Sequence, residues 1–308
     1  MTKGSPMYRL VEFPSEGATL QGRFYTREDA ARPAPVVIMA HGTSATMTMA
    51  IDRYAEVLHA AGLGVLLYDH RNFGRSGGEP RQEINPWVQA RGYRSALDFA
   101  AGLPEVDAGR MALWGDSYTA GQVIVVGACD ARVRAIVAQI PALGGKPAPA
   151  DPDGALFAAL RETLLGGNVA GSPETTLGPM PVVSFDQLGT PSLLTPISAF
   201  RWFIEYGGRH GSGWLNWATR VTPHTPAPFH AGLAAPHVQA PILFMIAPED
   251  EMPGANPAVS RAAYAAAPGP KELFEIGGGH FGLLHYPSEL FDLASGVQRD
   301  FLARQLLS

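Results

Sequence analysis

The sequence predicts an α/β fold, in which a mostly parallel, twisted sheet is flanked by helices and interrupted by one long insertion. Short continuous apolar runs, typical of strands buried on both faces, alternate with amphipathic helical stretches of ordinary length. Strands that are joined through helices form parallel sheets with helices on both faces. From Pro141 to about Pro236 this alternation stops, and the chain becomes rich in Gly, Pro, Ser and Thr.

The bulk properties narrow the class of protein. A chain of 308 residues with 46% hydrophobic and 17% charged residues suits one large globular domain, or one domain with an insertion. A net charge of −5 without any basic run argues against a nucleic-acid partner. The sequence contains no apolar stretch of about 18 residues, so we expect no membrane span. Cys129 has no disulfide partner and no apolar h-region follows Met1–Pro6, so we expect a cytoplasmic protein.

The first part of the chain predicts a hairpin followed by alternating strands and helices. The hairpin joins Tyr8–Phe13 to Ala18–Tyr25 through a Pro14–Gly17 turn. Apolar runs predict the next strands at Val36–Ala40, Val65–Tyr68, Met111–Trp114 and Val133–Ile140. Helical spacing predicts helices at about 50–61, at about 87–103 and directly after Ser117.

The alternation resumes near the C-terminus. The pattern there predicts a strand at Pro241–Ile246, a helix at about 257–267, a short strand at Lys271–Ile276 and a final helix at about 287–306. We therefore expect a core of residues 1–140 and 237–308 with residues 141–236 as an inserted lid, because a long stretch without this alternation is unusual as a loop. The aromatic residues between Phe200 and Trp217 belong either to the lid core or to the substrate contacts.

The chain is organised around the segment Gly115–Thr119, which has the sequence Gly-Asp-Ser-Tyr-Thr. An apolar strand leads into it and a helix leads out, the outline of a nucleophile elbow that projects a serine hydroxyl from the end of a sheet. Gly115 supplies the small residue needed where strand and helix nearly collide. Thr119 departs from the usual pattern, which has Gly two residues after the Ser.

Two further residues, Asp250 and His280, are placed to act as the acid and the base that a nucleophilic serine needs. A serine hydroxyl reacts when a base removes its proton and an acid orients that base. Asp250 and His280 each follow a predicted strand, as Ser117 does, and the carboxyl ends of parallel strands meet at one edge of the sheet. The order Ser, Asp, His is that of α/β hydrolases, and His41-Gly42 follows the strand expected to supply an oxyanion donor.

These placements resemble the α/β-hydrolase superfamily on both sides of the insertion. Asp69–Ser76 is similar to the superfamily's D-x-R-G-x-G-x-S loop and departs from it at Asn72-Phe73. Trp114–Gly121 is similar to the W-G-S-S-Y-S-G-G elbow of a branch that includes bacterial esterase-like proteins and fungal polyketide acyltransferases. The resemblance implies an α/β-hydrolase fold and a serine-based catalytic site.

The resemblance also implies a role for each candidate residue. Ser117 would be the nucleophile, His280 the general base and Asp250 the acid that orients it. His285 is a rival to His280, and a glutamate stands on either side of Asp250. Asp250 is preferred because the fold usually places the acid about four residues past this strand.

The predicted oxyanion hole consists of main-chain N–H groups. The Tyr118 N–H is favoured because it lies at a helix N-terminus, where the helix dipole attracts negative charge. The Thr43 N–H is the second expected donor, with Gly42 and Ser44 as alternatives. Asp116 is predicted to be a hydrogen-bonded structural residue that points away from Ser117.

These observations predict a serine hydrolase that cleaves a small-molecule carboxylic ester or thioester through an acyl-enzyme. The alternatives are an acyltransferase or thioesterase of secondary metabolism on the same residues, and a ligand-binding protein on an inactive hydrolase fold. No metal site is expected, since His280 and His285 lack ligand spacing, and no cofactor is expected because the sequence has no P-loop or strand-linked G-x-G-x-x-G. The sequence does not indicate the oligomeric state.

Overall fold

The computed structural model describes residues 7–26, 32–166 and 173–308. The strands of the central sheet are β1 (Arg9–Ser15), β2 (Ala18–Tyr25), β3 (Ala34–Ala40), β4 (Gly64–Tyr68), β6 (Val106–Asp116), β7 (Val133–Gln139), β10 (Ile242–Ile246) and β11 (Lys271–Glu275). They form an eight-stranded sheet in the order β1-β2-β4-β3-β6-β7-β10-β11. Strands β1, β2 and β4 pair antiparallel, and the remaining pairs are parallel.

Helices cover both faces of this sheet. The helices of the regular alternation are α1 (Ile51–Ala60), α2 (Pro86–Ala101), α3 (Tyr118–Cys129), α7 (Pro257–Ala266) and α8 (Glu289–Leu306). Alternate residues of each buried strand point to opposite faces. On β3, Val36 and Ile38 pack in the same cluster as α2, α3 and α7, whereas Val37 and Met39 pack in the cluster that contains α1 and α8. The result is a three-layer α/β arrangement.

The segment between β7 and β10 leaves and re-enters the sheet at neighbouring strands, because β7 and β10 pair directly. Its described part contains α4 (Ala155–Leu165), β8 (Pro173–Met180), α5 (Ile197–Gly207), β9 (Ala218–Pro223) and α6 (Ala231–Ala234). Strands β8 and β9 form a second, three-stranded sheet with β5 (Glu83–Ile84), which comes from the region before α2. The second sheet therefore connects this segment to the N-terminal half of the chain.

The predicted α/β architecture, with a mostly parallel sheet between helices, is confirmed. The predicted strands and helices of the alternating region agree with the structure to within a few residues. The largest difference is in β6, which begins at Val106 and not at Met111. Among the described residues, no helix has the length and hydropathy required to cross a bilayer. The expected absence of a signal peptide rests on residues 1–6, which lie outside the described ranges.

Candidate active site

Ser117 lies on the sharp turn between β6 and α3. Its backbone has φ 53° and ψ −117°, a conformation that a non-glycine residue adopts only when its surroundings enforce it. The Ser117 N–H donates to Gln139 O at 2.9 Å, and its carbonyl accepts from the N–H of Ala142 at 3.0 Å. Because these bonds come from β7 and the residues after it, the sheet itself holds the strained turn in place.

The residues around Ser117 explain why this elbow tolerates Thr119. A Cβ at Gly115 would lie 2.5 Å from the Thr119 carbonyl oxygen, so strand and helix approach each other as closely as the sequence predicts. The Thr119 Oγ1 accepts from the Asp116 N–H at 3.0 Å and donates to the Asp116 carbonyl at 2.9 Å. The Thr119 hydroxyl thus forms two hydrogen bonds with the backbone of the turn, at a position where the usual motif has glycine.

His280 lies between Ser117 and Asp250. Its Nε2 is 2.8 Å from the Ser117 Oγ, and its Nδ1 is 2.7 Å from the Asp250 Oδ2. The side chains of His280 and Asp250 are 2% and 3% exposed. The other carboxylate oxygen of Asp250 accepts from the Met252 N–H at 2.9 Å. A carboxylate that accepts from Nδ1–H leaves Nε2 free to accept the serine proton, which is the arrangement a general base requires.

The alternative base and the two alternative acids do not take these places. His285 is on the protein surface, with its Nδ1 3.9 Å from Glu205 and its side chain 43% exposed. Glu249 is exposed, and Glu251 contacts the backbone of His280, not its ring. Of the carboxylates after β10, only Asp250 reaches the His280 ring in the described part of the chain.

The two residues expected to supply the oxyanion donors line the same cavity as Ser117. Tyr118 is the first residue of α3, and Thr43 lies on the loop after β3; both line the cavity that contains Ser117 and His280. A Cβ at Gly42 would lie 3.2 Å from the Ser117 Cβ and from the Asp116 carbonyl oxygen, so glycine allows this loop to approach the elbow closely.

His41 stabilises that loop from the interior. It is fully buried, and burial lowers the pKa of its imidazole to about 4. Its Nε2 accepts from the His70 N–H at 3.2 Å, so the proton lies on Nδ1, which donates to the Gly42 carbonyl at 2.9 Å. The neighbouring Asp69 accepts from the Met47 N–H at 2.7 Å and from the Arg75 N–H at 2.9 Å. The side chains of His41 and Asp69 therefore order loops next to the site.

Asp116 is less completely hydrogen-bonded than the sequence suggests. It is 4% exposed, lines the cavity, and has a carboxylate oxygen, Oδ1, that is buried without a partner in the described residues. Burial raises the pKa of Asp116 to about 7, against the lowering influence of His280. The residue before the serine is thus a carboxyl group that changes its charge near neutral pH.

The site opens into a cavity of about 330 Å³. Its walls are mostly apolar, a common feature of small-molecule sites. Leu193, Leu194, Trp202 and Phe203 contribute from the segment between β7 and β10, and Met252, Phe281 and Leu284 contribute from the loops after β10 and β11. The cavity has the size and lining of a pocket for a medium-sized, largely apolar molecule.

The aromatic residues between Phe200 and Trp217 divide into two groups. Trp202 and Phe203 on α5 line the cavity, while also packing on each other at 4.9 Å between ring centroids. Tyr206 and Trp214 pack behind them. The helical spacing of the segment does not separate these groups, because core and cavity share one face of α5.

Three residues beside the proposed triad have roles that the sequence does not indicate. Glu251 is noticeable only as a neighbour of Asp250, Arg220 stands in a stretch that gives no motif, and Ser198 is one of several serines in a polar, Pro-rich region. The structure brings Glu251 and Ser198 together beside His280, and it places Arg220 of β9 in the cavity wall. In the part of the chain that the structure describes, no cluster of three or more His, Cys, Asp or Glu residues could hold a metal ion.

Comparisons with individual known proteins agree with this architecture, whereas the comparison with family models finds no match. The chain is 27% identical to the quorum-quenching protein AidA of Acinetobacter baumannii, over 96% of this chain and 94% of that protein. It is 38% identical to the thiohydrolase aneE of Aspergillus aculeatus, over 56% of this chain and 55% of the thiohydrolase, so that match spans about half of each protein.

A solved structure gives the same fold over the whole chain. The α/β hydrolase GrgF from Penicillium sp. sh18 superimposes with a TM-score of 0.71 and 23% identity, covering 99% of this chain and 100% of that one. The strand order, the elbow between β6 and α3, and this superposition lead to one conclusion: the chain has the α/β-hydrolase fold.

Proposed function

We propose that this protein is a serine hydrolase that cleaves a carboxylic ester or thioester through an acyl-enzyme intermediate. The observation that carries the proposal is the position of His280, whose two ring nitrogens lie 2.8 Å from Ser117 Oγ and 2.7 Å from Asp250 Oδ2. Similarity to a thiohydrolase and to a solved α/β hydrolase supports an enzyme of this class.

The first half of the proposed reaction forms the acyl-enzyme. Ser117 Oγ attacks the substrate carbonyl while His280 Nε2 takes the hydroxyl proton. Asp250 holds the imidazole in the required tautomer and stabilises the positive charge that forms on it. His280 then gives the proton to the departing alcohol or thiol. The Met252 N–H contact keeps the Asp250 carboxylate directed at Nδ1 during these steps.

Main-chain N–H groups of Tyr118 and Thr43 would stabilise the oxyanion. The Tyr118 N–H is at the N-terminus of α3, where it has no preceding helical carbonyl to bond. One such donor is worth roughly 3–4 kcal/mol in the transition state. In the second half of the reaction, a water activated by His280 attacks the acyl-enzyme, and the acid leaves from the same oxyanion site.

We also infer that residues 141–236 act as a lid over this site. The proposal rests on the described part of the segment, which contributes a leucine pair, two aromatic side chains of α5 and one arginine of β9 to the cavity wall. Closing such a wall over the substrate would exclude bulk water and strengthen the electrostatic interactions in the site.

Acyl transfer is the alternative on the same residues. The elbow is similar to that of fungal polyketide acyltransferases, and an apolar cavity could hold an acceptor alcohol or amine in place of water. The two reactions differ only in what attacks the acyl-enzyme. Turnover of a p-nitrophenyl ester with and without added alcohols or amines, followed by product analysis, separates them: an ester or amide product identifies transfer.

The direct test of the mechanism is covalent labelling. The protein, its Ser117→Ala and His280→Ala variants, and a Ser95→Ala control are treated with a fluorophosphonate probe and digested, and the adduct is located by mass. Ser95 bonds another serine away from the cavity and should not affect labelling. We expect an adduct on Ser117 in the wild type and the control, and none in the other two variants.

Turnover of p-nitrophenyl acetate and of a small acyl thioester completes the test. Loss of Ser117 or His280 should lower kcat by roughly 10⁴- to 10⁶-fold. Absence of both labelling and turnover in the folded wild-type protein would contradict the hydrolase mechanism and favour a ligand-binding protein on this fold.

A further inference from the structure

Arg220 lines the cavity and forms no ion pair within the described residues. The cavity wall includes one imidazole, one carboxyl group and one guanidinium, which belong to His280, Asp116 and Arg220. The first two belong to the elbow region and the proposed catalytic site. Arg220 comes from β9, and its guanidinium carbon lies 6.0 Å from the centre of the Tyr118 ring. The positive charge is thus adjacent to the residue that follows the proposed nucleophile.

The guanidinium of Arg220 has no anionic partner among residues 7–26, 32–166 and 173–308. Its Nε–H is buried and donates to no acceptor in the described residues. Several other arginines do have carboxylate partners: Arg132 contacts Asp98 and Asp130, and Arg304 contacts Glu272. Arg220 as a whole is half-buried, and only its Nε lies buried without a partner, so the terminal N–H groups are available to an anion that enters the cavity.

Asp116 does not neutralise this charge. No hydrogen bond or ion pair joins it to Arg220 in the described structure, and its own Oδ1 is also buried without a partner. Its other carboxylate oxygen lies against Gly42, on the side of the loop after β3. The cavity therefore combines apolar walls, a nucleophile and one unpaired guanidinium that can bind a planar anion through two N–H groups.

We propose that Arg220 forms an anion subsite, and that the preferred substrates are esters or thioesters carrying a carboxylate at the end of an otherwise apolar body. This inference rests on the proposed hydrolase function and specifies its substrate class. The carboxylate could belong to the acyl chain or to the leaving group. In both cases a bidentate bond to Arg220 would fix the substrate relative to Ser117.

Matched substrates measure the preference. For an acyl-side carboxylate the pair is mono-p-nitrophenyl adipate and the corresponding neutral adipamate ester. For a leaving-group carboxylate the pair is 4-acetoxybenzoate and 4-acetoxybenzamide. The measured quantity is the ratio of kcat/KM for the anionic and the neutral member of each pair. We expect a ratio above about 10 for one pair in the wild type, and that pair identifies the side on which the anion binds.

Two substitutions and a control test the residue. In Arg220→Gln the ratio should fall about tenfold or more, toward one, since a charge-assisted bidentate contact is lost. Arg220→Lys should keep part of the preference, because the charge remains while the planar fork is lost. Arg304→Gln removes a surface arginine outside the cavity and should leave the ratio unchanged. A ratio near one in the wild type, or an unchanged ratio in Arg220→Gln, would overturn the proposal.

Binding without turnover separates this proposal from the proposed reaction. Calorimetry of mono-p-nitrophenyl adipate and 4-acetoxybenzoate on Ser117→Ala, with and without Arg220→Gln, reports the subsite alone. At least tenfold weaker binding of one anionic ester in the double variant supports the subsite even if the wild type fails to label or turn over. Equal binding in both proteins contradicts the subsite even if Ser117 proves to be the nucleophile.

Discussion

Glu251 bonds the backbone of His280. The His280 N–H donates to the Glu251 Oε2 at 2.8 Å, and the other carboxylate oxygen accepts from the Ser198 hydroxyl at the start of α5. A Cβ at Gly279, which has φ +66°, would lie 2.5 Å from the same Oε2. Burial alone would raise the pKa of Glu251, but the Ser198 hydroxyl and the His280 N–H lower it overall. One carboxylate thus connects the segment 141–236 to the loop of the proposed base.

We expect Glu251→Ala to lower kcat for ester hydrolysis by about 10- to 100-fold, because a displaced His280 loses its alignment with Ser117. Glu251→Gln should retain most of the activity, since its amide oxygen can still accept from the His280 N–H and its NH₂ can donate to Ser198. The measurement is kcat and KM for p-nitrophenyl acetate in both variants. Equal losses in the two variants would show that the negative charge, and not the hydrogen bond to the loop, is what matters.

The sequence predicts the core of this fold well because its signals are local. Continuous apolar runs such as Val36–Ala40 read as strands buried on both faces, and the amphipathic stretches between them read as helices. The positions of Asp250 and His280 follow from the same pattern, since each lies on the loop after a parallel strand, within five residues of its end. The proximity of these side chains to Ser117 is therefore a consequence of topology.

Other parts of the site depend on contacts between distant segments. Arg220 lies 103 residues after Ser117 in the sequence. It reaches the cavity through the pairing of β9 with β5 and β8. The Glu251 contact with Ser198 joins α5 to the loop after β10. No local period or spacing encodes such pairings. For the same reason, the sequence could not separate Trp202 in the cavity wall from Tyr206 behind it.

Thr119 should contribute to stability as well as to the shape of the elbow. In Thr119→Val the buried Asp116 N–H loses its acceptor, and we expect the free energy of unfolding to fall by about 1–3 kcal/mol. Thr163→Val is the control, because the Thr163 hydroxyl only donates to the Ala159 carbonyl of its own helix. Urea denaturation measures both. A loss in Thr119→Val no larger than that in Thr163→Val would argue against the role of Oγ1 in holding the turn.

Asp116 should make stability depend on pH. Burial raises the pKa of Asp116 from 3.8 to about 7 in the folded protein, so between these values the unfolded chain is ionised while the folded one keeps its proton. The folded state then binds more protons, and the stabilising contribution is lost as pH rises toward 7. Asp116→Asn removes this titration and keeps the shape of the side chain.

The melting temperature of Asp116→Asn relative to wild type should therefore increase between pH 5 and pH 8, by at least about 2 °C. Comparing the two proteins at each pH cancels the contributions of groups that do not interact with Asp116. One of these is His41, which titrates in the opposite sense because burial lowers its pKa to about 4. A difference in melting temperature that stays constant over this pH range would mean that Asp116 is ionised throughout in the folded protein.

Gly42 should control the second oxyanion donor. Its substitution by alanine places a Cβ 3.2 Å from both the Ser117 Cβ and the Asp116 carbonyl, and the elbow cannot yield because the Ser117 backbone is bonded to β7. The loop that carries the Thr43 N–H must move instead. We expect kcat to fall roughly tenfold or more with a smaller change in KM, since the oxyanion exists only along the reaction path. Gly102→Ala, where an added Cβ meets only an ordinary contact at 3.5 Å, is the control. A raised KM with unchanged kcat in Gly42→Ala would place the second donor outside this loop.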